Sequence, residues 1–124
     1  RAAVANLDAL LEGARTVKDV RVLTAILDGV SREGMRELVN PLRQKMGSGV
    51  VVLATIEDGK VALLSSVAPD LTKRLHAGKT VQSVAKELGG QGGGRPDLAE
   101  AGGKDTSGLK TALDHVYTLI EQMI

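Results

Sequence analysis

Seven of the chain's 15 glycines crowd into the fifteen residues from Gly89 to Gly103. No other feature narrows the possible folds as much. Such a run has little apolar side chain to bury, and glycine loses more backbone freedom on ordering than any other residue. The segment cannot found a core; either other elements hold it or it stays a loop. The rest of the chain must build its interior without aromatics: there is no Phe, no Trp, and a single tyrosine, Tyr117. Leu, Val, Ile, Ala and Met supply the core instead. There is no cysteine, which excludes disulfides, thiol catalysis and cysteine-bound zinc. At 124 residues the chain has room for one domain with a real core and hardly for two.

Hydrophobic spacing places the elements around that segment. Val4, Leu7, Leu11 and Ala14 share one face, predicting a helix over residues 3–14. The β-branched stretch Val20 to Leu27 predicts a strand, closed by Asp28-Gly29. Ser31 is placed to cap a helix with Met35, Leu38, Val39, Leu42 and Met46 on its apolar face. Pro41 falls inside that pattern and should kink or break it near Asn40. Val50 to Ile56 fits a strand buried on both faces, and Asp58-Gly59 joins it to Val61–Val67 as an antiparallel hairpin. A short basic helical piece, Leu71 to His76, is expected next, ended by Ala77-Gly78. A helix from Lys79 to Leu88 buries Val81, Val84, Ala85 and Leu88, turns Lys79, Ser83 and Lys86 outward, and ends at Gly89. Gly90 to Gly103 has no period that suits a helix or a strand and reads as a loop. Thr106 or Ser107 then caps a last helix that buries Leu109, Ala112, Leu113, Val116, Tyr117 and Ile120. The order predicts an α/β fold, a small mixed sheet with an antiparallel hairpin packed by helices. Residues 1–17 read as the end of a helical segment and residues 18–124 as the globular domain. The chain opens on Arg1 in mid-pattern, as a fragment of something longer would.

Net charge is +1, so no global field draws in nucleic acid. A local one is available: Lys73, Arg74, Lys79, Lys86, Arg95 and Lys104 face only Glu87, Asp97 and Glu100 between Leu71 and Lys104. Successive glycine N–H groups can form an anion-binding nest, and Arg95 beside them offers a fork of donors suited to phosphate. The plainer reading is a surface loop with solvated lysines. That reading accounts for Gly90–Gly94, but not for Ala99, Ala101, Gly102 and Gly103, whose small size points to a backbone packed closely against something. Neither phosphate-loop pattern applies. No Lys-Ser/Thr follows the glycines, and the run follows a helix where a dinucleotide fingerprint follows a strand. The longest apolar run, Val50 to Ala54, is far short of the roughly 20 residues a membrane span needs. With no charged-then-apolar leader at its start, the expected location is the cytoplasm.

Taken together, Gly89-Gly90-Gln91-Gly92-Gly93-Gly94-Arg95-Pro96-Asp97-Leu98-Ala99 and the later Gly102-Gly103 resemble the glycine-rich, DHH-associated C-terminal domain of bacterial alanyl-tRNA synthetases. The hairpin strands, the Val67–Thr72 stretch, Ala77-Gly78 and the Val81–Leu88 helix come in that family's order. A related domain follows the catalytic part of DHH-type phosphoesterases, including single-strand exonucleases, where a His usually stands at the Arg95-Pro96-Asp97 position. The resemblance implies a domain without chemistry of its own, an appendage that grips alanine tRNA near its outer corner and so aids aminoacylation and editing. It implies a helical part, residues 1–17 here, that contributes to a homodimer in some members. It places ATP, magnesium and zinc elsewhere in a parent ligase and no cofactor in this segment. Carried over by motif, the RNA contacts are Gly90, Gln91, Gly92, Gly93, Gly94 and Arg95; charge adds Lys73, Arg74, Lys79 and Lys86. A chain with one core-facing tyrosine has no platform for stacking bases, so binding is expected to phosphates, 2′-hydroxyls and shape.

Catalytic readings find little support. His76 and His115 are the only histidines, with no ligand spacing between them, and both read as surface residues. Asp114-His115-Val116 is superficially like the Asp-His-His of the phosphoesterases, but it lies in an amphipathic helix. Ser65-Ser66 lacks a nucleophile elbow, and Glu57 and Asp58 belong to a turn. The alternatives to the tRNA-binding appendage are the substrate-binding domain of a DHH phosphoesterase or a stand-alone editing protein, and an oligomerisation module.

Overall fold

The computed structural model describes residues 7–124. One six-stranded sheet runs through it in the order β1-β2-β3-β4-β6-β5. The elements along the chain are α1 (Leu7–Leu11), β1 (Arg15–Val17), β2 (Val20–Ile26), α2 (Arg32–Met46), β3 (Val50–Glu57), β4 (Lys60–Val67), α3 (Ala77–Glu87), β5 (Gln91–Gly94), β6 (Leu98–Gly103) and α4 (Leu109–Met123). Only β2 and β3 run parallel, as the α2 crossover between them requires; the other neighbours are antiparallel. The expected mixed sheet with helices on it is therefore present.

The two cores follow from the period of two along each strand. Val50, Val52 and Ala54 of β3 face α3 and α4, together with Val61, Leu63, Val81, Leu113 and Ile120. Val51 and Leu53 face α2, together with Leu64, Met35, Leu38 and Leu42. Burial on both faces of β3 is what its continuous apolar run predicts. The β3–β4 hairpin closes with Glu57 opposite Lys60. Asp58 and Gly59 sit at φ 54° and 75°, the paired positive values of a type I′ turn.

Five expectations are corrected. The first helix stops at Leu11 rather than Ala14, because the chain turns through Gly13 into β1, a strand the spacing did not signal; its expected start and Val4 lie outside the described residues. The α2 helix does not break at Asn40 but runs unbroken from Arg32 to Met46. Pro41 lies on its exposed side, so the carbonyl it leaves without a donor can be solvated. In place of a basic helix at Leu71–His76 there is a single 3-10 turn at Pro69–Leu71. Ala77-Gly78 does not end a helix; it begins α3, which His76 caps by accepting from the Lys79 N–H at 3.1 Å. Asp105, not Thr106 or Ser107, caps the 3-10 turn that leads into α4, accepting from the Ser107 and Gly108 N–H groups at 3.1 and 3.2 Å. Its carboxyl is held below the usual range by the Ser107 hydroxyl first and the Gly108 N–H next.

Candidate nucleic-acid interface

The glycine segment is not a loop. Gln91–Gly94 and Leu98–Gly103 form an antiparallel ribbon, with Gly92 opposite Ala101 and Gly94 opposite Ala99, and β6 joins it to β4. The reason is α3, which lies across the ribbon and is tied to it at both ends. At its C-terminal end Gly89, at φ 69°, reverses the chain. The Gly90 N–H then bonds to the Ala85 carbonyl at 2.8 Å and the Gly89 N–H to Lys86 at 3.2 Å, a Schellman closure. The Leu88 carbonyl takes the Lys104 and Asp105 N–H groups at 2.7 and 3.0 Å. At the N-terminal end, the Ala77 and Gly78 N–H groups bond to the Pro96 and Arg95 carbonyls at 2.8 and 3.2 Å. A Cβ on Gly78 would lie 2.6 Å from the Gly94 carbonyl oxygen, and one on Gly103 2.7 Å from the Leu88 Cβ. Ala99, Ala101 and Gly103 alternate along the buried face of β6 and are small because a helix packs on them, which is the close packing the sequence implied.

This geometry redistributes the anion-binding groups. An extended ribbon is not a nest, and the Gly90 N–H is spent on Ala85. The start of α3 is closed to anions as well, since its first four N–H groups go to Pro96, Arg95, the His76 ring and the His76 carbonyl. What remains is side-chain charge and the outward N–H groups of β5, the exposed edge strand of the sheet. The Arg95-Pro96-Asp97 turn is docked on α3 next to Lys79, so Arg95 and Lys79 are brought together. Arg95 is 69% exposed and bonds to Asp97 at 3.2 Å. Lys73, Lys79 and Lys86 are exposed and make no ion pair among the described residues. Lys86 lies two turns from Lys79 on the same helix, by a groove of about 380 Å³ between α3 and α4 that also carries Glu87 and His115. Those two bond at 2.8 Å. Arg74 is drawn aside instead, its guanidinium 3.0 Å from Asp19. Their hydrogen bond raises the Arg74 pKa and lowers that of Asp19.

Tyr117 is only half-buried, but it is occupied. Its hydroxyl lies 2.8 Å from the Thr24 hydroxyl, and the Arg15 guanidinium sits 4.3 Å over its ring. A second basic group, which sequence spacing did not single out, lies on the α2 side of the ribbon. There Arg36 grips Glu100 through two bonds of 2.7 and 2.8 Å, and Arg32 lies 3.5 Å from the same carboxylate. The Arg36 fork holds Glu100 below the usual glutamate range. Only contact across 64 residues reveals this cluster. Arg43, also on α2, reaches the Ser66 hydroxyl at 3.4 Å.

The fold and this surface define a small α/β module whose cations stand on a glycine ribbon and on the helices flanking it. A family profile described as the DHHA1 domain matches residues 19–122; the chain belongs to that family. Within it, the chain is 54% identical over all 124 residues to an alanine–tRNA ligase of Solibacter usitatus (strain Ellin6076), and spans 14% of that protein's length. Its fold superposes on the C-Ala domain from Aquifex aeolicus alanyl-tRNA synthetase with a TM-score of 0.80 and 28% identity, covering 87% of this chain and 97% of that one. The resemblance read from the glycine segment therefore holds. RecJ from Thermus thermophilus, in complex with Mg2+, shares the fold at a TM-score of 0.62 and 19% identity, over 95% of this chain and 17% of that one.

Proposed function

We propose that this chain is the tRNA-gripping domain of an alanine–tRNA ligase. It holds alanine tRNA by backbone phosphates and shape, so that the catalytic and editing parts of a longer cytoplasmic protein act on it. The observation that carries the reading is the 54% identity to an alanine–tRNA ligase across the whole chain, and the C-Ala likeness supports it. The chemistry of the surface agrees. Its cations are exposed and its one aromatic ring is engaged by Arg15 and Thr24, which favours phosphate contact over base stacking. Under this reading ATP, magnesium and zinc serve other parts of the ligase. Arg95, Lys79 and Lys73 would meet phosphates at the N-terminal end of α3, with Lys86 extending the track.

The test is equilibrium binding of the chain to an alanine tRNA transcript, a non-cognate tRNA and single-stranded DNA, each over a KCl titration. Similar affinity for both tRNAs, weaker affinity for the single strand and a clear salt slope are expected. Arg95→Ala should cost about five- to eightfold near 0.1 M salt, the share of one phosphate contact, with no change in melting temperature. Preference for the single strand would favour a DHH-type substrate domain. Self-association with no nucleic-acid affinity would favour an oligomerisation module.

A further inference from the structure

A further cluster of positive charge lies at the other end of the ribbon from Arg95. A cleft of about 270 Å³ opens there, bordered by Arg32, Lys60 and Lys104 and floored by the bare backbone of Gly90, Gly102 and Gly103. Three distant parts of the chain bring these cations together: the first residue of α2, the first of β4, and the residue after β6. No carboxylate lines the cleft among the described residues. The acids nearest in sequence and register are committed or apart. Glu100 is gripped by Arg36, and Asp105 is turned onto Ser107 and Gly108. Glu57, across the hairpin from Lys60, Asp58 in the turn and Glu33 beside Arg32 make no ion pair with these cations among the described residues. Lys60 and Lys104 are exposed and unpaired among the described residues, while Arg32 has Glu100 at 3.5 Å on one side only.

The floor carries a second sign. A Cβ on Gly102 would meet nothing closer than the Val61 carbonyl oxygen at 3.5 Å, an ordinary contact, and its backbone is not left-handed. Packing therefore does not require glycine there, unlike at Gly78 or Gly103. A glycine that the fold does not need, in the floor of a cationic cleft, leaves room for a group to approach the backbone.

We propose that this cleft is a phosphate-binding site, in which Arg32, Lys60 and Lys104 take one or two backbone phosphates of the RNA. The site is separate from the Arg95 end of the ribbon. The inference rests on the tRNA-binding reading and adds a second anchor to it, so that the strand or helix bound would run the length of the β5–β6 ribbon. Two anchors at opposite ends of the ribbon fix an orientation as well as an affinity, which one cluster of flexible lysines does not.

The experiment measures affinity of the full chain for an alanine tRNA transcript from 50 to 300 mM KCl. A Lys60→Ala/Lys104→Ala double variant should lose about 25- to 60-fold near 0.1 M salt and lower the salt slope by about 1.4 to 1.8, the share of two phosphate contacts. Lys60→Arg/Lys104→Arg should restore both, and Lys110→Ala on α4 should change neither by more than about one contact. Gly102→Val, which keeps a strand-compatible residue and fills the cleft, should weaken binding with the far-UV spectrum unchanged. In amide spectra, the tRNA should shift Gly90, Gly102 and Gly103. If the wild-type chain binds tRNA and loses affinity with Arg95→Ala but not with the double lysine variant, the cleft is refuted and the tRNA reading stands. If the wild-type chain binds no tRNA, both fall.

Discussion

Gly78→Ala tests whether the ribbon is held by its docking on α3. On helix propensity alone the change should stabilise, by at most about 1 kcal/mol and less in the first turn. The structure predicts the opposite. The new Cβ would stand 2.6 Å from the Gly94 carbonyl oxygen, 2.9 Å from its nitrogen and 2.8 Å from the His76 ring. To reach van der Waals contact the ribbon must withdraw by roughly 0.6 Å. That shift takes the Gly78–Arg95 bond, 3.2 Å long, beyond bonding distance and stretches the Ala77–Pro96 bond from 2.8 Å. One lost bond with a buried donor costs about 1–3 kcal/mol, and overpacking a close contact costs a similar amount. Relaxation makes the two overlap, so the net after the propensity gain is about 2 kcal/mol of destabilisation. At about 2.1 cal/mol/K per residue, the unfolding entropy of 124 residues converts this to a fall of about 8 °C in Tm. Far-UV circular dichroism melts at pH 7 read it directly. Gly93→Ala is the control, because nothing lies within 4 Å of its Cβ position, and it should stay within about 0.5 kcal/mol of wild type. A Gly78→Ala chain at least as stable as wild type would refute the docking argument.

Two further outcomes follow from the same contacts. The Glu100 carboxyl is held low by Arg36, so the unfolded chain binds its proton at higher pH than the folded one. Its contribution is complete above about pH 4.3 and is lost as the pH falls through the lower folded value. Glu100→Gln should lower Tm at pH 7 and flatten its decline between pH 5 and 3; an unchanged decline would show that Arg36 does not set it. Gly59→Ala places a side chain at φ 75° in the type I′ turn and should cost about 1 kcal/mol in melting experiments, with no steric relief possible because the turn conformation is itself the cost.

The same resemblance that named the family came from the segment whose structure spacing read least well. Gly89-Gly90, Gly92-Gly93-Gly94 and Gly102-Gly103 mark the family by order and spacing. Yet they look like loop to any propensity scale, because glycine is depleted in strands. Their strand pairing is imposed by β4 on one side and α3 on the other, and neither is visible within the segment. The candidate contacts divide in the same way. Exposure of Lys79 and Lys86 follows from the period of α3, and both are exposed. Arg74 reads as free until Asp19, 55 residues away, is brought beside it. Arg32, Lys60 and Lys104 carry no shared motif at all, and only the meeting of α2, the β3–β4 turn and the end of β6 gathers them.

By itself the sequence determined what depends on local order. It set the amphipathic faces of α2, α3 and α4, the two-sided burial of Val50–Ala54, the Asp58-Gly59 turn and the aliphatic core, each fixed by residues within a few positions of one another. Tertiary structure decided what depends on distant partners. Pro41 is tolerated because its side of α2 faces water. Ala77-Gly78 starts a helix because the Arg95 and Pro96 carbonyls wait there for its free N–H groups. The glycine run became a ribbon because a helix can lie on backbone that has no side chains to hold it off.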